Sequence, residues 1–226
     1  MMGKRLLLEK EFQIRRKAEK EIERWLKRKR PCAMHFDFDM GVADTSRANT
    51  ETVRQTLREF KVAPRREALE RFPEICCGLK PNTILLTIAP SLAAHPGKMD
   101  EMLKFMTEKA IENTHLIEIS PIGKMLPYIR EHGGTKSTIM TNRNKHAINP
   151  AIDYLKLRGF LDYIFYVSKI LKAKPDLEMF YAGQKWTKIP LSQSLFVDDN
   201  EECIRAARSV GMGTFHVKWK MSMKMI

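Results

Sequence analysis

The sequence predicts an α/β protein: a Rossmann-like parallel sheet with helices on both faces, and a mainly helical cap inserted after the first strand. Three observations carry this expectation. From Ser120 onward, short apolar runs alternate with helical stretches, a pattern that joins strands in parallel through right-handed crossovers. The first apolar run, Ala33 to Phe36, stops at two aspartates one residue apart, Asp37 and Asp39. Between that run and Ser120 lies a stretch of helical character punctuated by Pro73, Pro81, Pro90 and Pro96-Gly97. The expected division is a basic helix over 1–31, an α/β core from 32–45 and 117–226, and a helical cap over 46–116.

Composition agrees with a folded chain of this kind. Its 226 residues accommodate one large and one small unit, and 43% hydrophobic residues are enough for a core. Cys32, Cys76, Cys77 and Cys203 form no Cys-x-x-Cys pair, and neighbouring Cys76 and Cys77 suit no ordinary disulfide. Free cysteines point to a reducing compartment, so a cytoplasmic location is expected. No apolar run approaches the length of a membrane span. Glu9 and Glu11 argue against a transit peptide, and no secretory apolar region follows Leu6-Leu7-Leu8.

The formal charge is +13, and residues 1–31 hold twelve Lys/Arg against five Glu, or +7 of it. A weak contact with nucleic acid or another acidic surface is therefore open to this leader alone. The plainer reading is a solvated helix face. Leu8, Phe12, Ala18, Ile22, Trp25 and Leu26 form its apolar stripe, Glu11–Arg15 and Glu23–Lys27 are favourable pairs, and Pro31 ends it. That stripe is expected to pack on the body or on a partner.

Within the insert, Glu51 to Phe60 and Lys98 to Asn113 read as helices, the second with Met99, Met102, Leu103, Met106 and Ile111 on one face. Ile84 to Ile88 is open between strand and buried helix. Farther on, Ser120-Pro121 predicts a helix start, with the end near Gly133-Gly134. Thr138 to Met140 is a strand delivering Thr141 and Asn142 to a loop. Pro150 to Leu157 is a helix closed by Gly159, and Tyr163 to Val167 a buried-type strand. Lys174-Pro175 precedes a helix near 176–183. Strand Ser194 to Val197 reaches Asp198-Asp199, a helix spans Glu201 to Val210 before Gly211, and Thr214 to Val217 ends the sheet.

In an open parallel sheet, ligands collect at the carboxyl ends of the strands. Asp37 and Asp39, Thr141, Lys174, and Asp198 and Asp199 would all stand on that rim. Carboxylates this close need a cation or a shared proton, and Mg2+ with a phosphate meets that need through oxygen ligands. Taken singly, each residue has a plainer reading. Lys174 is a surface lysine, Thr141 a strand-end cap, and Asp198-Asp199 an acidic pair favoured at a helix N-terminus. Asn200 is a good N-cap. His35 reads as a strand histidine, and no histidine pair has zinc-ligand spacing.

Together, in order, these residues resemble the haloacid dehalogenase-like superfamily from Phe36 to Val217. Asp37-Phe38-Asp39 is similar to its first motif, Ile139-Met140-Thr141-Asn142 to its second, Lys174-Pro175-Asp176 to its third, and Phe196-Val197-Asp198-Asp199-Asn200 to a paired-aspartate form of its fourth. The resemblance implies a Mg2+-dependent phosphatase acting on a small phosphorylated metabolite. Asp37 would be the nucleophile and Asp39 the acid and base. Thr141 and the Asn142 amide would hold phosphate, and Lys174 would offset charge. Asp37, the Asp39 carbonyl and Asp199 would ligate Mg2+, with Asp198 sharing the task or supporting it. Asp39 favours phosphoryl transfer over dehalogenation. A cap after the first motif would close over substrate, with Thr45 to Asn49 among its contacts.

The sequence departs from that family in two places. Met40-Gly41 reverses the usual order and is expected to loosen the loop. Cys203 replaces a common polar residue, a role for which Glu202 is the substitute. The competing readings are a phosphomutase or other phosphotransferase, and a non-catalytic protein that binds through its basic leader.

Overall fold

A computed structural model describes residues 13, 16–27, 32–70, 79–132 and 134–217. Leu8, Phe12, the Glu11–Arg15 pair, Pro31, Pro73, Cys76 and Cys77 lie outside the described residues. Five parallel strands form the main sheet: β1 (Cys32–Phe36), β4 (Thr135–Thr141), β5 (Tyr163–Tyr166), β6 (Ser194–Asp198) and β7 (Gly213–His216). Their spatial order is β5-β4-β1-β6-β7, so the chain leaves β1, fills one side, and returns to fill the other. The reversal puts β1 in the middle, between β4 and β6.

Side-chain alternation along these strands builds two apolar layers. Met34, Phe36, Ile139, Leu195 and Val197 face one cluster. Helices over 16–27 (α1), Leu126–Glu131 (α6) and Lys145–Tyr154 (α7) close it. Met140, Phe165 and Phe196 face the other cluster, under Glu178–Thr187 (α8) and Glu201–Ser209 (α9). Helices therefore cover both faces, as expected. Ala18, Ile22 and Leu26 of α1 are fully buried, so the described part of the leader spends its stripe on the protein's own core. Trp25 lies so close to Gly213 that a Cβ there would collide with the indole. The Glu23–Lys27 pair forms at 3.9 Å.

The insert carries its own apolar cluster, built by Ser46–Glu59 (α2), Arg66–Glu70 (α3), Pro81–Ile88 (α4) and Pro96–Glu112 (α5). The ambiguous run at Ile84 is a helix, because Pro81 pre-sets its first turn. Met99, Met102 and Met106 are buried, and Ile111 points away from the cluster, 39% exposed. The sequence did not predict the two-residue strands Ala43–Asp44 (β2) and Glu118–Ile119 (β3). They pair antiparallel and tie together the two chain crossings into the insert.

Other boundaries differ for local reasons. The Ser120 hydroxyl accepts from Gly123 N–H and donates to the Gly41 carbonyl. It holds a turn, and the helix begins only at Leu126. α7 starts five residues before Pro150, because the Asn144 side chain accepts from Ala147 N–H at 3.0 Å and caps it. Pro150 lies inside that helix. β5 is an edge strand, not a buried-type one: Tyr163 is 42% exposed, and its ring packs on Trp186, 4.9 Å between centroids.

Candidate active site

β1, β4 and β6 run parallel and side by side, so their carboxyl ends deliver Asp37, Thr141 and Asp198 to one rim. Lys174, on the loop after β5, reaches across that rim. Its ammonium donates to Asp37 Oδ1 at 2.7 Å and to Asp198 Oδ2 at 2.6 Å, with all three side chains almost fully buried. The loop is fixed by Asn142. Its Oδ1 accepts from Lys174 N–H at 2.8 Å, and its Nδ2 donates to the Lys174 carbonyl at 3.0 Å. Asn142 thus spends its side chain on placing Lys174.

The turn after β1 is tight. Val42 and Ala43 N–H groups donate back to the Asp37 and Phe38 carbonyls at 3.0 and 2.9 Å. A Cβ on Gly41 would collide with the Asp37 carbonyl, so this position requires glycine. Met40 takes the left-handed turn, with φ of 57°, and buries its side chain. The reversed Met40-Gly41 order therefore does not loosen the loop: burial of Met40 and the closed hydrogen bonds hold it.

The turn places Asp39 in a second network that the sequence reading missed. Arg143 grips it with both arms of its guanidinium, Nε to Oδ2 at 2.8 Å and Nη2 to Oδ1 at 2.6 Å. Thr45 donates to Oδ1 at 2.6 Å, and Asn49 joins both partners. Burial pushes the Asp39 carboxyl up, but the Arg143 charge and these hydrogen bonds outweigh it and hold the group below the usual range. A signal was available: Arg143 follows Thr141-Asn142 on the same strand-end loop, and a guanidinium there meets a carboxylate bidentately.

Thr141 stands at the end of β4, fully buried, with its oxygen accepting from Arg143 N–H at 3.1 Å. It does not line the cavity over the site. That cavity, about 100 Å³, is bounded below by Asp37, Asp39, Asn142, Arg143, Lys174 and Asp198, and above by residues of the insert. Cys203 lines it too, whereas Glu202 is exposed on the first turn of α9 and cannot replace it. Asn200 caps α9, accepting from Glu202 and Cys203 N–H, which confirms its structural role. His35, two residues before the site, bonds Thr138 through Nδ1 at 2.7 Å; burial lowers its pKa to about 3 and keeps it neutral.

The donor set suits a hard divalent cation. Asp37, Asp198 and Asp199 bring one oxygen each to within 4.8 Å of one another, and the buried Asp199 Oδ1 has no hydrogen-bond partner. Burial and the Asp198 charge push Asp199 up to about 7. Burial also raises Asp37, against the pull of Lys174. Burial opposes the Lys174 charge, but Asp198 and Asp37 more than restore it. With one ammonium among them, the three carboxyl groups can all ionise only beside a further positive charge, and oxygen-only ligands are what Mg2+ and similar ions select.

Comparison with known proteins agrees with this geometry. The chain is 25% identical over 187 residues to a phosphoglycolate phosphatase of Pseudomonas fluorescens, a match covering 80% of this chain and 67% of that protein. Against two further phosphoglycolate phosphatases, from Pseudomonas savastanoi and Pseudomonas syringae, it spans less than half of their length, 45% and 39%. Among solved structures, CbbY of Rhodobacter sphaeroides in complex with phosphate superposes with a TM-score of 0.65 at 15% identity, over 80% of this chain and 84% of that one. A haloacid dehalogenase-like family protein of Streptococcus pneumoniae gives 0.65 at 16%, over 82% and 83%. At such identities the structures establish the shared fold. The family pattern described as haloacid dehalogenase-like hydrolase runs over residues 34–217, from β1 through the residue after β7. With its strand ends, its insert and its acidic rim all inside that span, the chain belongs to the haloacid dehalogenase-like hydrolases.

Proposed function

We propose that this chain is a phosphatase that hydrolyses a small phosphate monoester through an aspartyl-phosphate on Asp37. The observation that carries the reading is Lys174 bridging Asp37 and Asp198 at the floor of a cavity whose wall also presents Asp39. The relatives named as phosphoglycolate phosphatases support the reaction class. In the first half of the reaction, an Asp37 oxygen bonds to phosphorus as the ester P–O bond breaks. The departing alkoxide takes a proton from Asp39. In the second half, Asp39 takes a proton from water, whose oxygen bonds to phosphorus while the Asp37–phosphorus bond breaks. Dividing one displacement in two lowers each barrier, and a placed acid and base contributes roughly 10²–10⁴-fold.

Arg143 holds Asp39 as the carboxylate, the form that accepts the proton of water. Delivering a proton to the alkoxide needs the acid form, and Oδ2, which accepts from Arg143 Nε, keeps a second lone-pair site for that proton without breaking the grip. Lys174 stays charged and opposes the negative charge that gathers on the phosphoryl oxygens. Asn142 positions Lys174 through its side chain and offers its backbone N–H to phosphate; Thr141 supports the same loop. Asp37, Asp198 and Asp199 would hold Mg2+, which when bound supplies positive charge against the phosphate and the carboxylates. Among the described residues Cys32 and Cys203 form no disulfide, which supports a reducing, cytoplasmic setting. Among the described residues no helix is long and apolar enough to cross a membrane.

Release of inorganic phosphate from an alkyl or aryl phosphate, with Mg2+ and with EDTA, tests this reading. Turnover that needs the divalent cation and disappears in Asp37→Asn is expected. Undiminished turnover in Asp37→Asn would remove the covalent route.

A further inference from the structure

Resting on the phosphatase reading, we infer that the substrate is the phosphate ester of an uncharged alcohol with an apolar body, rather than a carboxylated ester such as phosphoglycolate. The cavity has two unlike walls. Its floor holds all the charged lining residues among those described, and both cations there are already matched. Lys174 bonds Asp37 and Asp198, and Arg143 bonds Asp39 and Asn49. The roof, from α2, α4 and α5, offers Val53, Ile84, Met106 and Ala110, and its polar groups are neutral: the hydroxyls of Thr52 and Thr107, and the Asn49 amide, which already bonds Asp39 and Arg143.

A phosphate held at Asp37 by its phosphorus must turn its ester oxygen toward Asp39, which supplies the proton. The carbon body beyond that oxygen then has the roof as its remaining wall. A carboxylate on that body would be taken out of water with no cation of its own among the described residues, and an unpaired buried charge is strongly unfavourable. To find a partner it would have to draw Arg143 away from Asp39, giving up two charge-assisted bonds of 2.8 and 2.6 Å and releasing the catalytic carboxylate from its setting. An alkyl or neutral hydroxyalkyl body makes no such demand. It gains contact with Val53, Ile84 and Met106, and the two hydroxyls can meet one or two neutral polar groups. This separates the chain from the named activity of its phosphoglycolate phosphatase relatives, with which about a quarter of the aligned residues are identical.

The test is a panel of methyl, ethyl, propyl and butyl phosphate together with phosphoglycolate, assayed by phosphate release in the presence of Mg2+. kcat/KM is expected to climb along the alkyl series by roughly tenfold or more per well-packed methylene, and to exceed that for phosphoglycolate by at least a hundredfold at the butyl end. Thr107→Lys places an ammonium on the roof at a half-buried position outside the catalytic machinery. It is expected to raise kcat/KM for phosphoglycolate about tenfold relative to butyl phosphate, and Ala110→Lys repeats the test from the next turn of the same wall. Wild-type protein that prefers phosphoglycolate, or shows a flat alkyl series, overturns the inference while leaving the phosphatase reading standing. Absence of turnover on every ester, methyl phosphate included, overturns that reading and this inference with it.

Discussion

Lys174→Met isolates the electrostatics of the site from its shape. The substitution keeps an unbranched side chain one heavy atom shorter and removes the one charge that Asp37 and Asp198 share, bonded at 2.7 and 2.6 Å. Asp37, Asp198 and Asp199 have oxygens within 4.8 Å of one another. Two unit charges at that separation repel by about 3.5 kcal/mol at an effective dielectric of about 20. Loss of one partner of a buried ion pair costs about 3–5 kcal/mol in general, so a destabilisation near 3 kcal/mol is expected. In a chain of this size that lowers Tm by roughly 6–12 °C. The pH dependence has a definite sign. Without Lys174, a carboxylate of the cluster has its folded-state pKa raised further, so the folded variant binds a proton that the unfolded chain does not. Its deficit is full at pH 8 and shrinks as pH falls through that raised pKa. Mg2+ at pH 8 should recover part of the loss by replacing the missing charge. Thermal unfolding of both proteins at pH 8 and pH 5, with and without Mg2+, measures all of this. A variant that melts with the wild type at pH 8 in EDTA, or whose deficit ignores pH and Mg2+, would refute the charge argument.

Two other substitutions probe separate parts of the structure. Arg143→Gln removes the two-armed grip on Asp39; kcat is expected to fall about a hundredfold, the usual cost of a catalytic group displaced by an ångström, with KM changing much less in steady-state assays. Asp162→Asn leaves one acceptor oxygen in place of two, so it cannot keep both the Ser137 N–H bond at 2.9 Å and the Arg130 and Lys136 bonds at 3.2 Å. Burial opposes the Asp162 charge, but these donors hold its pKa below the usual value. Its stabilisation, about 1–2 kcal/mol by the worth of charged hydrogen bonds, is therefore present above the unfolded carboxylate range and lost as pH falls through the folded value. Denaturant titrations should show the variant weaker at pH 7 and the gap closing toward pH 3.

The strand-helix alternation was legible because each strand shows as a short apolar run and each helix as a wider period, both local properties of the chain. The acidic rim was legible for the same reason: Asp37, Asp39, Asp198 and Asp199 sit at run ends, and a parallel sheet puts run ends together. Helix starts were less so. Asn144 outcompeted Pro150 as the start of α7 because a side-chain cap satisfies backbone donors that a proline merely lacks. Tyr163 to Val167 read as buried because its residues are apolar and aromatic, yet strand order put it at the edge, and order is not a local property.

Local patterns along the sequence were enough to give the kind of protein: a parallel sheet, a helical insert after the first strand, and carboxylates gathered at one rim. Who holds whom was settled by folding. Arg143 and Asp39 are 104 positions apart, and Lys174 and Asp37 are 137 apart; no local pattern pairs them. Asn142 lost its side chain to the Lys174 backbone, Met40 took a left-handed turn because Gly41 alone fits against Asp37, and the apolar roof came to face the rim through packing of the insert. Side-chain pairing depends on distances that close only when the chain does, and those distances set which groups are left to meet a substrate.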